Sequence, residues 1–238
     1  MIYVIGIGPG ALHQLTFEAE EALSRCEVLI GYKTYMHLIE PLVTSQVVIS
    51  NGMRGEISRC QEAVRLSREG KCVGVISSGD AGVYGMAGLI YELSDSADEI
   101  RVIPGVTASS AGAALLGAPL MHDYCHISLS DLLTPIDVIM KRVESVALAD
   151  FVICFYNPRS QGRPQHLQSA IETIMKIQGT ELMVGLAKDV GRENEQHHIM
   201  RIDQLDYELV DMTTLVIVGN RHTYQKGDRL ITPRGYAL

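Results

Sequence analysis

Hydrophobic and polar positions show two alternating kinds of pattern in the first half of the chain. Short runs of β-branched and aliphatic residues alternate, up to about residue 117, with longer stretches of helical spacing or helix-forming composition. Such alternation is typical of βαβ units with a parallel sheet. The runs predict strands at Ile2–Ile7, Val28–Ile30, Val47–Ile49, Cys72–Ile76 and Ile100–Ile103. The stretches between them predict helices at Gln14–Ser24, Glu56–Arg68, Gly85–Leu93 and Ser109–Leu116.

The pattern changes at Gly117-Ala118-Pro119, where glycine and proline end a helix and begin an extended segment. We therefore predict two α/β lobes, residues 1–117 and 118–238. The second lobe has predicted strands at His126–Leu129, Phe151–Phe155, Leu182–Ala187, His197–Arg201 and Thr214–Val218, and predicted helices at Ile136–Ser145 and Pro164–Lys176. Its last three strands have little helix between them, which favours a mixed sheet.

Composition and charge argue against several classes of protein. The 238 residues carry a formal net charge of −8, whereas nucleic-acid binding relies on clustered Lys and Arg, so we expect no nucleic-acid partner. No apolar run approaches the roughly 18–20 residues that cross a bilayer, and the first residues lack the basic segment of a secretory signal. We therefore expect a cytoplasmic protein without membrane association. The five cysteines are scattered without metal-ligand spacing, so we expect reduced thiols and no metal site.

A glycine-rich turn, Gly6-Ile7-Gly8-Pro9-Gly10, directly follows the first predicted strand. Its glycines permit a tight turn and let a ligand approach the backbone closely. A Rossmann dinucleotide site would place the third glycine later and would end the second strand with an acidic residue. Here Pro9 lacks an N–H, and the second strand ends at Ile30-Gly31-Tyr32. Taken alone, the turn is either a ligand-binding loop or a simple tight turn.

Two more segments of small residues follow predicted strands. Residues 77–85 follow the fourth strand and residues 104–110 the fifth. Because ligands of open α/β sheets bind at the carboxyl edge of the strands, we expect all three loops to lie there. Asp80 either caps the next helix or holds an amine or hydroxyl of a ligand, and Thr107 or Ser109 can cap the helix after the third loop.

In order and spacing, three segments together resemble the tetrapyrrole (corrin/porphyrin) methylase family, namely Gly6–Gly10, Ser78–Gly85 and Ile103–Ser109. The resemblance covers essentially the whole chain. Within the family, His122–Pro135, Phe155–Ser160 and Lys188–Arg192 are similar to the branch that methylates precorrin-3B at C17. Many relatives have proline after the aspartate where this chain has Asp80-Ala81, and we interpret this difference as a mark of the same branch.

The resemblance implies a two-lobed α/β tetrapyrrole methylase fold (class III methyltransferase) with the active site in the cleft between the lobes. It also implies a homodimer that methylates (cobalt-)precorrin-3B at C17 and contracts the ring, in cobalamin (vitamin B12) biosynthesis. S-adenosylmethionine is the implied cofactor and S-adenosylhomocysteine the implied product. The implied cofactor-binding residues are Gly8, Pro9, Ser78, Gly79, Asp80, Val83, Thr107 and Ala108 in the first lobe, and Tyr156, Ala187, Thr213 and Thr214 in the second. Tyr156 stands where other branches often carry Met.

Methyl transfer from a sulfonium needs mainly a donor and a nucleophile held in line, and no activated Ser or Cys. Ring contraction adds proton movements, which a positioned acid or base assists. Our candidates for that role are Asp131 first, then His126, His122 and Asp123, although each can also be a cap or a surface group. Guanidinium groups suit the many carboxylates of a tetrapyrrole. The candidates there are Arg54, Arg159, Arg163 and Arg192, each of which can also be solvated surface charge.

Other functions stay open at this point. The same scaffold serves methylation of precorrin-4 at C11 or of precorrin-2 at C20. From other classes, the glycine turn suggests a nicotinamide-dependent oxidoreductase, which the missing acidic residue disfavours, and a non-catalytic tetrapyrrole carrier is a further alternative. The sequence does not decide whether the substrate contains cobalt, although the scattered cysteines and the lack of an oxygen-activating site favour the cobalt-bound, anaerobic route.

Overall fold

The computed structural model describes residues 1–52 and 55–237, and its internal contacts divide the chain into two compact units. The first unit is Met1–Ala108 and the second is Ser109–Leu238. The division falls between Ala108 and Ser109, whereas we predicted a lobe boundary at residue 117.

The first unit contains a five-stranded parallel sheet, as the sequence predicted. Its strands are β1 (Ile2–Gly6), β2 (Val28–Tyr32), β3 (Val47–Asn51), β4 (Val73–Ser77) and β5 (Ile100–Ile103), in the order β3-β2-β4-β1-β5. Its helices are α1 (Phe17–Arg25), α2 (Lys33–Leu38), α3 (Glu56–Arg68) and α4 (Ala87–Leu93). The short helix α2 was not predicted, because six residues are too few to establish a helical period.

Both faces of this sheet are covered, so β1 and β4 are buried along their whole length. Alternate residues of β1 point to opposite faces. Ile2 and Val4 pack into a cluster with residues of α3 and α4, whereas Tyr3 and Ile5 pack into a second cluster with residues of α1 and α2. At the start of α1, the Thr16 hydroxyl accepts a hydrogen bond from the Ala19 N–H (3.1 Å) and caps the helix.

The second unit contains a five-stranded mixed sheet, which confirms the mixed sheet predicted for the second half of the chain. The remaining elements are α5 (Ala108–Leu116), β6 (Gly117–Ala118), β7 (Tyr124–Ser128), α6 (Ile136–Leu148), β8 (Val152–Tyr156), α7 (His166–Gln178), β9 (Met183–Lys188), β10 (Gln196–Arg201), β11 (Thr214–Val218), β12 (Tyr224–Lys226) and β13 (Arg229–Ile231). The sheet order is β10-β9-β11-β8-β7, in which β7 and β8 are parallel and the other pairs are antiparallel. Its core lies against α6 and α7.

A small three-stranded sheet, β12-β13-β6, was not predicted. The extended segment expected at Gly117 begins as β6, which pairs in parallel with β13. Strands of two or three residues are too short to show an alternating pattern. No helix in residues 1–52 and 55–237 has the length and apolar composition that a membrane crossing requires.

Candidate functional site

The three loops of small residues begin side by side at the carboxyl edge of the first unit's sheet. Strand β1 lies between β4 and β5, and the register pairs Gly6 with Ser77 and Ile5 with Ile103. The loops that follow these strands are residues 6–10, 77–85 and 104–110, which we call the first, second and third loops. The expectation that they share one edge is confirmed.

Paired backbone hydrogen bonds join the first and second loops. The Gly8 N–H donates to the Gly79 carbonyl (3.0 Å), and the Gly79 N–H donates back to the Gly8 carbonyl (2.8 Å). Both residues have left-handed backbone angles, with φ of +71° and +67°. Glycine adopts this conformation without the steric cost that a Cβ imposes. The two glycines therefore fix the shape of both loops.

The third loop packs against the other two, backbone to backbone. A Cβ on Gly105 would lie 2.2 Å from the Gly79 carbonyl oxygen and 2.7 Å from the Gly6 carbonyl carbon, and a Cβ on Gly6 would lie 2.7 Å from the Gly105 nitrogen. Real Cβ atoms essentially never approach other heavy atoms so closely. No side chain fits at either position, so the sequence requires glycine there for packing.

Asp80 links the second loop to the third. Its Oδ1 accepts the Gly82 N–H (2.8 Å) and its Oδ2 accepts the Gly105 N–H (3.0 Å). The interpretation of Asp80 as a helix cap is wrong, because α4 begins only at Ala87 and has Met86 at its N-cap. Asp80 is also the one charged residue in the sequence of the three loops. The three loops therefore carry one carboxylate and no cation.

The other predicted cofactor residues of the first unit lie on these loops. Pro9 is buried beside Gly8, whereas four others keep part of their surface exposed, namely Ser78, Val83, Thr107 and Ala108. Ser109 is not a cap for α5, since it lies inside the helix, and its buried Oγ has no hydrogen-bond partner in the described part of the chain. Arg54 lies outside the described residues.

In the second unit, Tyr156 ends β8 and connects to two other segments. Its hydroxyl oxygen accepts the Ser109 N–H (2.9 Å), and its ring centroid lies 5.1 Å from that of His126 on β7. Ala187 on β9 is fully buried, 3.1 Å from the position of a Cβ on Gly112 of α5. Tyr156 therefore has accessible surface for a ligand, whereas the Ala187 side chain has none.

Thr213 and Thr214 both donate their hydroxyl groups to the Oδ1 of Asp211, at 2.8 and 3.1 Å. Lys188 forms an ion pair with the same carboxylate (2.6 Å). Burial acts to raise the pKa of Asp211, but these hydrogen bonds outweigh it and hold the pKa at about 2. Both hydroxyl hydrogens are thus used inside the turn before β11.

The four candidate acid–base residues do not form one cluster in the structure but have different neighbours. His126 is partly buried, its Nε2 has no hydrogen-bond partner among the described residues, and burial lowers its pKa, so its imidazole favours the neutral form. His122 and Asp123 are exposed and face each other, with 3.8 Å between Nδ1 and Oδ2. Asp131 faces Arg163 (Oδ1 to Nε, 3.8 Å) and His166 (Oδ2 to Nε2, 3.7 Å).

From the sequence, Asp131 is a candidate acid or base and Arg163 is a candidate contact for substrate carboxylates, whereas His166 is not identified. In the sequence, His166 lies near the start of a predicted helix, and that position does not indicate any catalytic or binding role. Arg163 is 9% exposed, so its interpretation as solvated surface charge is wrong. Arg159 donates to the Tyr207 carbonyl and to Glu208 (2.8 Å).

Arg192 follows β9 and lies 4.0 Å from the Asp189 carboxylate. Within residues 1–52 and 55–237, no group of three or more His, Cys, Asp or Glu side chains is arranged to hold a metal ion.

Comparison with known proteins gives a consistent result over the whole chain. The family described as Tetrapyrrole (Corrin/Porphyrin) Methylases matches residues 1–206. A Salmonella typhimurium protein named "Probable cobalt-factor III C(17)-methyltransferase" is 53% identical, with 100% of each chain covered. A Priestia megaterium protein named "Cobalt-factor III methyltransferase" is 48% identical over 99% of this chain, which spans 45% of that longer relative.

The fold has a solved counterpart. The structure titled "Crystal structure of the methyltransferase CobJ" superposes with a TM-score of 0.93 at 34% sequence identity. The superposition covers 98% of this chain and 99% of the other.

Proposed function

Because the chain belongs to the tetrapyrrole (corrin/porphyrin) methylase family of methyltransferases, we propose that it methylates C17 of a cobalt-containing precorrin-3B or cobalt-factor III. S-adenosylmethionine donates the methyl group and leaves as S-adenosylhomocysteine, and the ring contracts in the same reaction. The relatives support the presence of cobalt, since both are named for cobalt-factor III, and one name specifies C17. This reaction is a step of cobalamin biosynthesis.

The charge of the three loops is the observation that carries the choice of cofactor. Asp80 supplies a carboxylate, and the loops contain no Lys or Arg. A sulfonium cation is favoured beside such loops, whereas a phosphate is repelled. The glycine backbones of the first and second loops allow the cofactor to approach closely. On this basis we assign cofactor binding in the first unit to Gly8, Pro9, Ser78, Gly79, Asp80, Val83, Thr107 and Ala108.

The backbone hydrogen bonds also disfavour a nicotinamide cofactor. A dinucleotide site holds its pyrophosphate on free backbone N–H groups at a helix N-terminus. Here the N–H groups of Gly8 and Gly79 donate to each other's carbonyls, and the Gly105 N–H donates to Asp80. These three donors are therefore not free for a pyrophosphate, which supports S-adenosylmethionine.

In the second unit we assign adenosine contacts to Tyr156 and the turn at Thr213 and Thr214. Both threonine hydroxyls and the Thr213 N–H donate to Asp211, and Thr214 is buried, so the exposed Thr213 offers its methyl group and its hydroxyl oxygen to the adenosine. For the substrate carboxylates we propose Arg159 and Arg192, whose side chains keep 23% and 24% of their surface exposed. Family resemblance further supports a homodimer in the cytoplasm, and sedimentation of the purified chain tests the dimer.

The decisive experiment is incubation of the purified chain with methyl-labelled S-adenosylmethionine and either cobalt-containing or cobalt-free macrocycle. We expect one S-adenosylhomocysteine per product, and NMR and mass spectrometry should place the label at C17 of a contracted ring, with faster turnover of the cobalt form. A label at C11 or C20 would contradict the proposed position. No S-adenosylhomocysteine with any intermediate would favour a carrier, and binding of NAD without S-adenosylmethionine would favour an oxidoreductase.

The role of Arg159 is tested separately by calorimetry. Arg159→Ala should weaken macrocycle binding at least tenfold and leave S-adenosylmethionine binding nearly unchanged, because one guanidinium–carboxylate contact contributes about 1.5–3 kcal/mol. Arg142→Ala, an exposed position on α6, is the matched control and should change neither affinity. Equal losses in both affinities for Arg159→Ala would count against the assignment.

A further inference from the structure

The orientation of the His166 ring is fixed by a backbone carbonyl. Leu129 is fully buried, and its N–H donates to the Tyr156 carbonyl (2.9 Å), so its peptide group is held in place. The Leu129 carbonyl faces the Nη1 of Arg163 (3.0 Å) and the Nδ1 of His166 (3.1 Å). A carbonyl only accepts hydrogen bonds, so the Nδ1 of His166 carries a hydrogen.

This tautomer determines what His166 presents to Asp131. In a neutral imidazole with hydrogen on Nδ1, Nε2 has a lone pair. That lone pair faces the Asp131 Oδ2 at 3.7 Å, and two lone pairs cannot form a hydrogen bond. A single proton turns the contact into a hydrogen bond, which is charge-assisted when the proton is on Nε2 and joins two neutral groups when it is on Oδ2. Asp131 is 36% exposed, so its carboxylate has room to rotate and shorten the distance.

Arg163 is the third charged group at this contact. Its guanidinium is buried, with Nη1 on the Leu129 carbonyl and Nη2 on the sulfur of Met212 (3.6 Å). Its Nε faces the Oδ1 of Asp131 (3.8 Å), so each carboxylate oxygen faces a different nitrogen. Arginine does not release its proton. Arg163 therefore holds the carboxylate in place, and the exchangeable proton lies between Asp131 and His166.

We propose that His166 holds the mobile proton of the ring-contraction step and exchanges it with Asp131, whose orientation Arg163 maintains. The inference rests on the proposed function for its chemistry. In the exchange, the N–H bond at Nε2 breaks as an O–H bond forms at Oδ2, and the electron pair stays on nitrogen. No oxidant or reductant is involved. Because His166 acts through Asp131, it is a positioning residue. It holds the proton whenever Asp131 is ionised.

Two amide substitutions separate the two nitrogens of His166. Asparagine places an amide nitrogen near the position of Nδ1, so His166→Asn keeps the bond to the Leu129 carbonyl and removes Nε2. We expect its S-adenosylhomocysteine release to stay within about threefold of wild type, while formation of the contracted ring falls about 100-fold. Its rate of contraction should also lose the pH dependence of the wild type. His166→Gln, which reaches toward Asp131 but cannot exchange a proton, should be equally impaired in contraction.

His37→Asn is the matched control, since His37 forms an exposed pair with Glu40 (3.0 Å) in the first unit. It should leave both rates unchanged. Contraction within about threefold of wild type in His166→Asn would overturn the proposal, because the residue would then serve only its bond to Leu129.

Nitrogen-15 NMR of histidine-labelled wild-type protein tests the pair without any turnover. We expect the His166 Nδ1 to be protonated, and the Nε2 signal to shift in Asp131→Asn. A hydrogen on Nε2 with a bare Nδ1 in the wild type would overturn the inference even where the variants fail to fold, and so would an unchanged Nε2 signal in folded Asp131→Asn protein. If wild-type protein makes no contracted ring, the proposed function fails, while the NMR result still decides the state of the pair.

Discussion

Gly105→Ala is expected to separate the three loops of the first unit. The new methyl group would lie 2.2 Å from the Gly79 carbonyl oxygen and 2.7 Å from both the carbonyl carbon and oxygen of Gly6. Ordinary van der Waals contact begins at 3.4 Å, so at least one loop must move by about 1 Å. All the clashing atoms are backbone, so no side chain can rotate away to relieve them.

The cost has two parts. Overpacking of this kind costs about 1–3 kcal/mol. A moved third loop also loses the hydrogen bond from the Gly105 N–H to Asp80, and hydrogen bonds to charged groups contribute about 1.5–3 kcal/mol. We expect a loss of about 3–4 kcal/mol in the free energy of unfolding, which for a chain of this size lowers Tm by roughly 10 °C. Affinity for S-adenosylmethionine should fall at least tenfold.

Urea unfolding measures the stability and calorimetry measures the cofactor affinity. Gly88→Ala is the matched control, because Gly88 lies in α4 and nothing lies within 4 Å of its Cβ position. The control should be stabilised by about 0.4–1 kcal/mol, since alanine restricts the unfolded chain and favours helix. A Gly105→Ala protein within about 1 kcal/mol of wild type, with unchanged cofactor affinity, would refute the packing argument.

Three further predictions concern single ionisable groups. Asp80→Asn should lower the free energy of unfolding, measured in urea, by about 2–3 kcal/mol. An amide can accept a hydrogen bond from only one of the Gly82 and Gly105 N–H groups and turns its own NH₂ toward the other. A stability within about 0.5 kcal/mol of wild type would contradict this. The Asp211 pKa of about 2 lies below its ordinary 3.8, so its carboxylate stabilises the fold above about pH 4 and loses that effect as pH falls toward 2. Solvent screening limits this contribution to the free energy of unfolding to about 1 kcal/mol. Asp211→Asn should make the stability less dependent on pH between about pH 4 and 2. A pH dependence of stability parallel to that of wild type would argue against this role of Asp211. Proton NMR should find the His126 midpoint below its ordinary 6.5, because burial lowers its pKa, and a midpoint above that value would contradict the burial argument.

Much of the fold could be predicted because its signals are local. Runs of buried residues and helical spacing identified β1 through β5 and the helices α1, α3, α4 and α5 with ends shifted by a few residues. Helix α2 and the strands β6, β12 and β13 were missed, because a six-residue helix and strands of two or three residues are too short to show their periods. Small residues after strands also identified the three loops.

The sequence by itself determined the alternation of elements, the placement of three loops of small residues with one carboxylate, Asp80, after predicted strands, and the family resemblance. These follow from composition and spacing along the chain. Only the tertiary structure decided that Asp80 holds two loops together instead of capping a helix, and that Asp131 faces both Arg163 and His166. The partners in these contacts lie 25 to 35 positions apart in the sequence. Which side chains meet across such a separation depends on strand order and register, and no local pattern encodes that.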